Sequence, residues 1–490
     1  MNRKNLLVSI VGIILIITAV WQILAAQHGL EIITLHTSSP PVTIITPKGT
    51  TPGSRPTVLI AHGFAGSGVI MRGFALTLAH AGYTMVLWDF NGHGSNPNPF
   101  DFNLQSNDLV QNAEAALTDA ETTGLVDPSR IAILGHSMGS GVALTYGVDH
   151  PETAATIAVS PVNQTITPDL PHNLLLMAGS LESQFVSNAE QLLNQAGGQG
   201  GDPAMGTARE LFVVPNVEHI SILFSPTAHS TARSWLDETF GSQPGATNYT
   251  DRRVIWFGIG ILGFVILSNA ILNIIPSANQ TGLNSKPGWL RVITLIGASI
   301  AASLILWLVS LSGIQINQML GLVVGGYLLV WFGVAGIVGL VILRPHIPRL
   351  SPRDLLIGII AFAALWLGVG LLGQFVWLPW LLIPNRLWLW IPGAILLLPW
   401  SYIVAEVAHS ATRLGQVGWW LYHSFLVIAG LYLAMMLNPE LGFIFIILPL
   451  FPIILGLHAL MSCPKRGVWP FALSGAMFIS WLLLAVFPLQ

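Results

Sequence analysis

The chain has 490 residues, 53% of them hydrophobic and only 8% charged, with a mean hydropathy of +0.68 and a formal net charge of -3. This composition excludes an ordinary soluble protein and points to one with much of its length in a bilayer, while the lack of a basic tract argues against nucleic acid as a partner. A single cysteine, Cys463, excludes an internal disulfide framework, so sulfur content says nothing about the compartment.

Asn2-Arg3-Lys4 precede an apolar run from Leu6 to Ala26. Its roughly 20 residues, at 1.5 Å each, match a hydrocarbon core of about 30 Å. The run is longer than a signal-peptide core, and Leu24-Ala25-Ala26 is a poor cleavage site, so an uncleaved anchor is expected over residues 1–27.

From Gln27 to Asp251 the composition is that of a globular domain, expected over residues 28–250. Ile32 to Leu35 and Val42 to Ile45 read as an opening hairpin. Thr57 to Ala61 then runs into His62-Gly63-Phe64-Ala65-Gly66, and Tyr83 to Trp88 runs into Asp89-Phe90-Asn91-Gly92-His93-Gly94. Each is a short buried strand ending in a glycine-rich loop, with helical stretches at 69–81 and 104–122 between and after them. Ile131 to Leu134, Thr156 to Ser160, Asn173 to Ala178 and Leu211 to Val214 continue the series. A helix is expected at 190–196, and Gly197-Gly198-Gln199-Gly200-Gly201 reads as a flexible loop. The alternation predicts an α/β fold with a mostly parallel sheet, helices on both faces and a ligand site beyond the strands' carboxyl ends.

The chemistry centres on Gly135-His136-Ser137-Met138-Gly139, a GxSxG turn between a strand and a helix. Such a turn pushes the Ser137 hydroxyl clear of the sheet and lets the Met138 amide face a developing oxyanion. A serine hydroxyl needs a general base, itself oriented by a third group. His219 and Glu182 fill those roles, each in a loop after a strand and in the order nucleophile, acid, histidine; Asp202 and Asp169 are rival acids. His62, His93 and His136 sit in three separate glycine-rich turns, where loop hydrogen bonds rather than a metal are expected, and no nucleotide-binding or redox motif calls for a cofactor.

With these residues in view, the segment of roughly residues 30 to 242 resembles the α/β-hydrolase superfamily, most of all its dienelactone-hydrolase and serine-esterase or peptidase-like branches. The resemblance rests on His62-Gly63-Phe64-Ala65-Gly66, the Asp89 to Gly94 loop, Asp127-Pro128-Ser129-Arg130-Ile131, the GxSxG turn and His219. It implies that Phe64 and Met138 supply the oxyanion-hole amides. Glu182 departs from the family's more usual aspartate, and Ser140-Gly141 from its more usual double glycine. Little sequence separates Ser160 from Asn173, where many relatives insert a cap.

Past Asp251 an all-α membrane domain is expected over residues 251–490, with about eight spans centred near Ile261, Ser303, Trp331, Leu365, Leu396, Val427, Leu450 and Ile479. Pro379, Pro384, Pro392 and Pro399 interrupt the fourth and fifth. Arg3, Lys4, Lys286, Arg291, Arg344, Arg349, Arg353, Arg413, Lys465 and Arg466 fall on one side and Arg252, Arg253 and Arg386 on the other. The bias predicts a cytoplasmic N-terminus in the cell membrane and an extracytoplasmic globular domain. Glu406, His409, His423 and His458 are the ionisable groups in or near the spans, with Glu406 and His409 expected at a solvated helix end. Gly321, Gly325, Gly333, Gly336 and Gly339 should permit close helix packing.

The reading is a membrane-bound serine esterase acting on small-molecule or lipid esters, since Phe64, Met138, Phe185, Ile220, Leu223 and Phe224 surround the predicted loops. A peptidase or acyltransferase would use the same triad. A transport or lipid-handling protein with an accessory or inactive hydrolase domain is the rival from another class.

Overall fold

The computed structural model describes the chain except for residues 1–2, 37–38, 102–105, 277–286, 380, 383, 409–412 and 463–465. Lys286, His409, Cys463 and Lys465 therefore lie outside the described residues. The chain divides into two compact units. One holds residues 21–256 and 374–380, and the other residues 1–20, 257–373 and 381–490.

The first element, α1 (Arg3–Ala25), leads into an antiparallel hairpin of β1 (Leu30–Leu35) and β2 (Val42–Pro47). There follow β3 (Thr57–Ala61), α2 (Arg72–His80), β4 (Thr84–Trp88), α3 (Ser106–Glu121), β5 (Ile131–His136), α4 (Met138–Asp149) and β6 (Ala155–Val159). β7 (Leu174–Gly179), α5 (Ser183–Gln195), β8 (Arg209–Val214) and α6 (Pro226–Phe240) complete the unit. The strands form one eight-stranded sheet in the order β1-β2-β4-β3-β5-β6-β7-β8, parallel from β4 onward. The predicted α/β class and strand sequence are therefore present.

Burial explains why β3 to β7 are unbroken apolar runs, since helices cover both faces of the sheet. Alternate residues serve different layers. Leu175 and Met177 join Phe74, Ala75 and Trp235 in one core, whereas Leu174 and Leu176 join Ala189 and Leu192 in the other. The strand order changes direction at β3 and β5, so the loops after these strands flank a crevice at their carboxyl ends.

Two local expectations change. The fifth helix begins at Ser183 rather than 190, immediately after Glu182. The glycine-rich stretch after it is not a free loop, because Gly200 exchanges both backbone hydrogen bonds with Arg209 at 2.9 and 2.7 Å and covers part of the β8 edge. Residues 160–173 join β6 to β7 with neither helix nor strand.

Eight helices among the described residues are long and apolar enough to cross a membrane: Arg3–Ala25, Arg253–Leu272, Gly288–Ser310, Gly325–Leu343, Pro352–Phe375, Leu387–Ala408, Gly415–Leu437 and Val468–Val486. The span expected near Leu450 is instead Leu450–Ser462, 13 residues preceded by the short helix Ile444–Ile447. Alone it covers about 20 Å. Pro449 lies in the joint between the two pieces.

The proline-rich region resolves into a helix with a π-helical turn at Trp366–Leu371 and a second, continuous helix that carries Pro392 and Pro399 inside it. Gly336 lets this second helix approach Gly325–Leu343 at backbone distance, since a Cβ there would collide with Pro399 and Trp400. Gly321, by contrast, is a turn residue with φ +68 and open space around it. Glu406 is buried at 2% exposure, which corrects the expectation of a solvated helix end. Arg386 is buried as well; it donates to the Leu484 and Phe487 carbonyls at 2.8 Å, at the carboxyl end of Val468–Val486.

Candidate active site

Ser137 stands between β5 and α4 with φ 54 and ψ -119, a strained conformation for a residue with a side chain. The turn is possible because its neighbours lack one. A Cβ at Gly135 would overlap the Gly139 carbonyl, and one at Gly139 would come within 2.5 Å of the Ala61 carbonyl oxygen. The Ser137 amide donates to the Val159 carbonyl at 2.9 Å, tying the apex to the neighbouring strand.

His219 Nε2 lies 2.9 Å from Ser137 Oγ, and its Nδ1 lies 2.8 Å from Glu182 Oε2. The structure thus joins the three side chains in one chain of hydrogen bonds although 82 residues separate the first from the histidine. All three are less than 10% exposed. Nδ1 faces a carboxylate, so it carries the proton, leaving Nε2 as the acceptor of the Ser137 hydroxyl.

The rival acids are elsewhere. Asp202 caps the short helix Pro203–Met205 by accepting the Ala204 amide at 2.9 Å, and Asp169 is exposed.

Phe185 stacks on the His219 ring at 4.2 Å between centroids. On the other side His136 Nε2 donates to the His219 carbonyl at 2.9 Å. Burial, followed by the neighbouring His219, pushes the His136 pKa well below its usual value and keeps the ring neutral. His136 therefore holds the backbone of His219.

Met138 is the first residue of α4, where an amide has no acceptor within the helix. Phe64 follows β3 in a loop that closes on the same spot; a Cβ on Gly63 would stand 3.2 Å from Ser137 Cβ. The Phe64 ring packs with His93 and Phe100 at 5.7 and 6.0 Å. Ile220 and Phe224 are half-buried, whereas Leu223 belongs to the core, with its carbonyl accepting His229 Nε2 at 2.9 Å.

The remaining loop histidines and Asp89 have structural tasks. His62 Nε2 accepts the Phe90 amide at 3.1 Å, so Nδ1 carries the proton that goes to the Gly63 carbonyl at 2.8 Å. Burial lowers its pKa despite the opposing charge of Asp89. Asp89 in turn accepts the amides of Gly68 and Ser95, both at 2.8 Å, and so ties the loops after β3 and β4 together. His93 bonds the Asn91 carbonyl at 2.9 Å. Among the described residues no three His, Cys, Asp or Glu side chains come together as metal ligands.

One residue of the constellation was not singled out from sequence. Ser160, fully buried after β6, donates its hydroxyl to Glu182 Oε1 at 2.7 Å. The only sequence signal for it is its place at the end of the strand neighbouring the elbow.

Parts of the sequence are similar to known proteins. Residues 52–201 match the family model described as Serine aminopeptidase, S33. An uncharacterized protein of Mycobacterium tuberculosis is 32% identical over 133 residues, 26% of this chain and 46% of that protein. The putative carbamate hydrolase RutD of Klebsiella pneumoniae is 27% identical over 164 residues, 34% of this chain and 53% of that protein. The chain thus spans about half the length of these relatives. Among solved structures, a putative dienelactone hydrolase from Klebsiella pneumoniae aligns over 44% of this chain and 100% of its own, at 18% identity and a TM-score of 0.35. Residues 52–201 thus match an α/β-hydrolase family model, and the domain that contains them has the α/β-hydrolase fold, in a chain that also carries apolar helices able to span a membrane.

Proposed function

We propose that this protein is a membrane-bound serine hydrolase that cleaves carboxylic esters through an acyl-serine intermediate. The observation that carries the reading is the continuous Ser137–His219–Glu182 hydrogen-bond chain. His219 Nε2 takes the Ser137 proton as Oγ attacks the ester carbonyl. The carbonyl π electrons move to oxygen, where the Met138 and Phe64 amides stabilise the charge. Collapse expels the alcohol, which takes its proton from His219. Water then enters by the same base, and the acid is released from Ser137. Glu182 stabilises the imidazolium at each stage.

The half-buried apolar groups around the loops, Phe64, Met138, Phe185, Ile220 and Phe224, favour an acyl or lipid-like substrate. Arg3 and Lys4 ahead of the first apolar helix support a cytoplasmic N-terminus, with the hydrolase domain beyond the membrane. A peptidase reading has one observation in its favour, the description of the matching family model.

A membrane-impermeant fluorophosphonate applied to intact cells tests nucleophile and orientation together. Labelling of the native protein, and none of Ser137→Ala, is expected. Labelling only after permeabilisation would reverse the orientation and keep the chemistry; none in either condition from folded protein would refute the catalytic reading. Matched p-nitrophenyl ester and p-nitroanilide substrates then separate esterase from peptidase, with the ester expected to be the faster.

A further inference from the structure

Glu182 uses its two oxygens for different tasks. Oε2 takes His219 Nδ1, while Oε1 accepts the Gly179 amide at 2.5 Å and the Ser160 hydroxyl at 2.7 Å. The amide is given by the strand that precedes the acid and moves with it. The hydroxyl comes from β6, a separate strand, and is the side-chain contact that fixes the carboxylate against the sheet.

Ser160 holds this position in an unusual way. It is fully buried and adopts φ +48, in the left-handed region where glycine is favoured. Its amide donates to the Met177 carbonyl at 2.7 Å, a bond any residue could make. Two neighbouring parallel strands, β5 and β6, are therefore each followed directly by a serine with positive φ, one bonded to His219 and the other to Glu182. Glycine would relieve the backbone at 160, and what it would lack is the hydroxyl.

We infer that Ser160 is a positioning residue: its hydroxyl fixes the rotation of the Glu182 carboxylate that presents Oε2 to His219. This inference rests on the serine-hydrolase reading above. Ser160 touches neither the reacting atoms nor the base. It acts through Glu182, by stabilising the carboxylate and restricting its torsion.

The titratable groups around the pair are few. His136 faces His219 from the elbow, His62 lies behind His136, and Glu218 caps the Ile220 and Ser221 amides at 2.9 and 2.8 Å. None of these is bonded to Ser160.

The test uses the full-length protein in detergent with a p-nitrophenyl ester, comparing Ser160→Gly, Ser160→Ala and Ser137→Ala with the native chain. The glycine and alanine variants share the missing hydroxyl and differ in the backbone they prefer. Both are expected to lose about tenfold or more in kcat, with KM within about twofold. Ser160→Gly is expected to unfold at the native temperature or above, which separates the loss from misfolding. Native kcat in Ser160→Gly, or a loss confined to KM, would overturn the inference while leaving the triad intact. Native hydrolysis by Ser137→Ala would instead remove the reading on which it rests.

Discussion

On the proposed esterase reading, Ser137→Ala is expected to lose activity by a factor of about 10⁴ or more in kcat, with the protein folded as before. The magnitude follows from the arrangement: Ser137 Oγ is the group hydrogen-bonded to His219 Nε2, and on this reading no acyl-enzyme forms without it. On the same reading the residual rate comes from polarisation of the ester by the Met138 amide at the elbow and the Phe64 amide after β3. Because the Ser137 side chain is small and its own backbone is strained, alanine fills the same space at the same φ, and thermal unfolding is expected within a degree or two of the native protein. Single-turnover kinetics provide the sharper measurement. The native chain releases a burst of alcohol before the steady state when deacylation is slow, and the variant releases none.

The second large effect concerns folding. Arg253 and Asp251 form a buried pair with side chains 2% and 5% exposed, joined by Nε at 2.9 Å and Nη2 at 2.8 Å. Arg253 Nη1 continues to the Phe375 carbonyl at 2.7 Å, and Asp251 accepts the Tyr249 hydroxyl at 3.1 Å. Asp251→Ala leaves the guanidinium buried without its counter-charge, which costs about 3–5 kcal/mol. That is a large share of a domain's stability. Denaturant unfolding in detergent should register it as a lower midpoint, and adding Arg253→Met should return part of the loss, because the uncompensated charge is then gone.

The same pair gives a direction in pH. Burial alone raises the Asp251 pKa, but the hydrogen bonds and charge of Arg253 outweigh it and hold the value below the ordinary carboxylate range. A depressed folded value means that the pair's contribution is complete above the unfolded pKa of about 4 and is lost as pH falls through the folded one. Native protein therefore loses stability below about pH 4 by an increment that Asp251→Ala lacks.

The fold was readable because its strands are buried on both faces. Val58 to Ala61, Ile131 to Leu134 and Leu174 to Ala178 stand out as short apolar runs between polar turns, and the last two end where a glycine is sterically required, at Gly135 and Gly179. Ser137, His219 and Glu182 were identifiable as candidates because each follows such a strand, and the structure sets them within hydrogen-bond reach of one another. Ser160 was not identifiable in this way. A serine at a strand end has many uses, and only the rotation of a carboxylate from another strand gives this one its partner. The helical part was less legible for a different reason: hydropathy registers apolar length, not continuity. It cannot distinguish Leu387–Ala408, which carries two prolines and remains one helix, from the stretch around Pro449, which divides. Nor does it anticipate that Arg386 and Glu406 are buried in the protein instead of facing water.

The bare connection between β6 and β7 has a kinetic consequence. Hydrolases that insert a helical cap there must open it before substrate enters, and the open fraction then scales the apparent affinity. Residues 160–173 supply no such gate. On the proposed esterase reading, no helical cap at this connection imposes a closed population, and progress curves are expected to start without a lag when a micellar substrate is added.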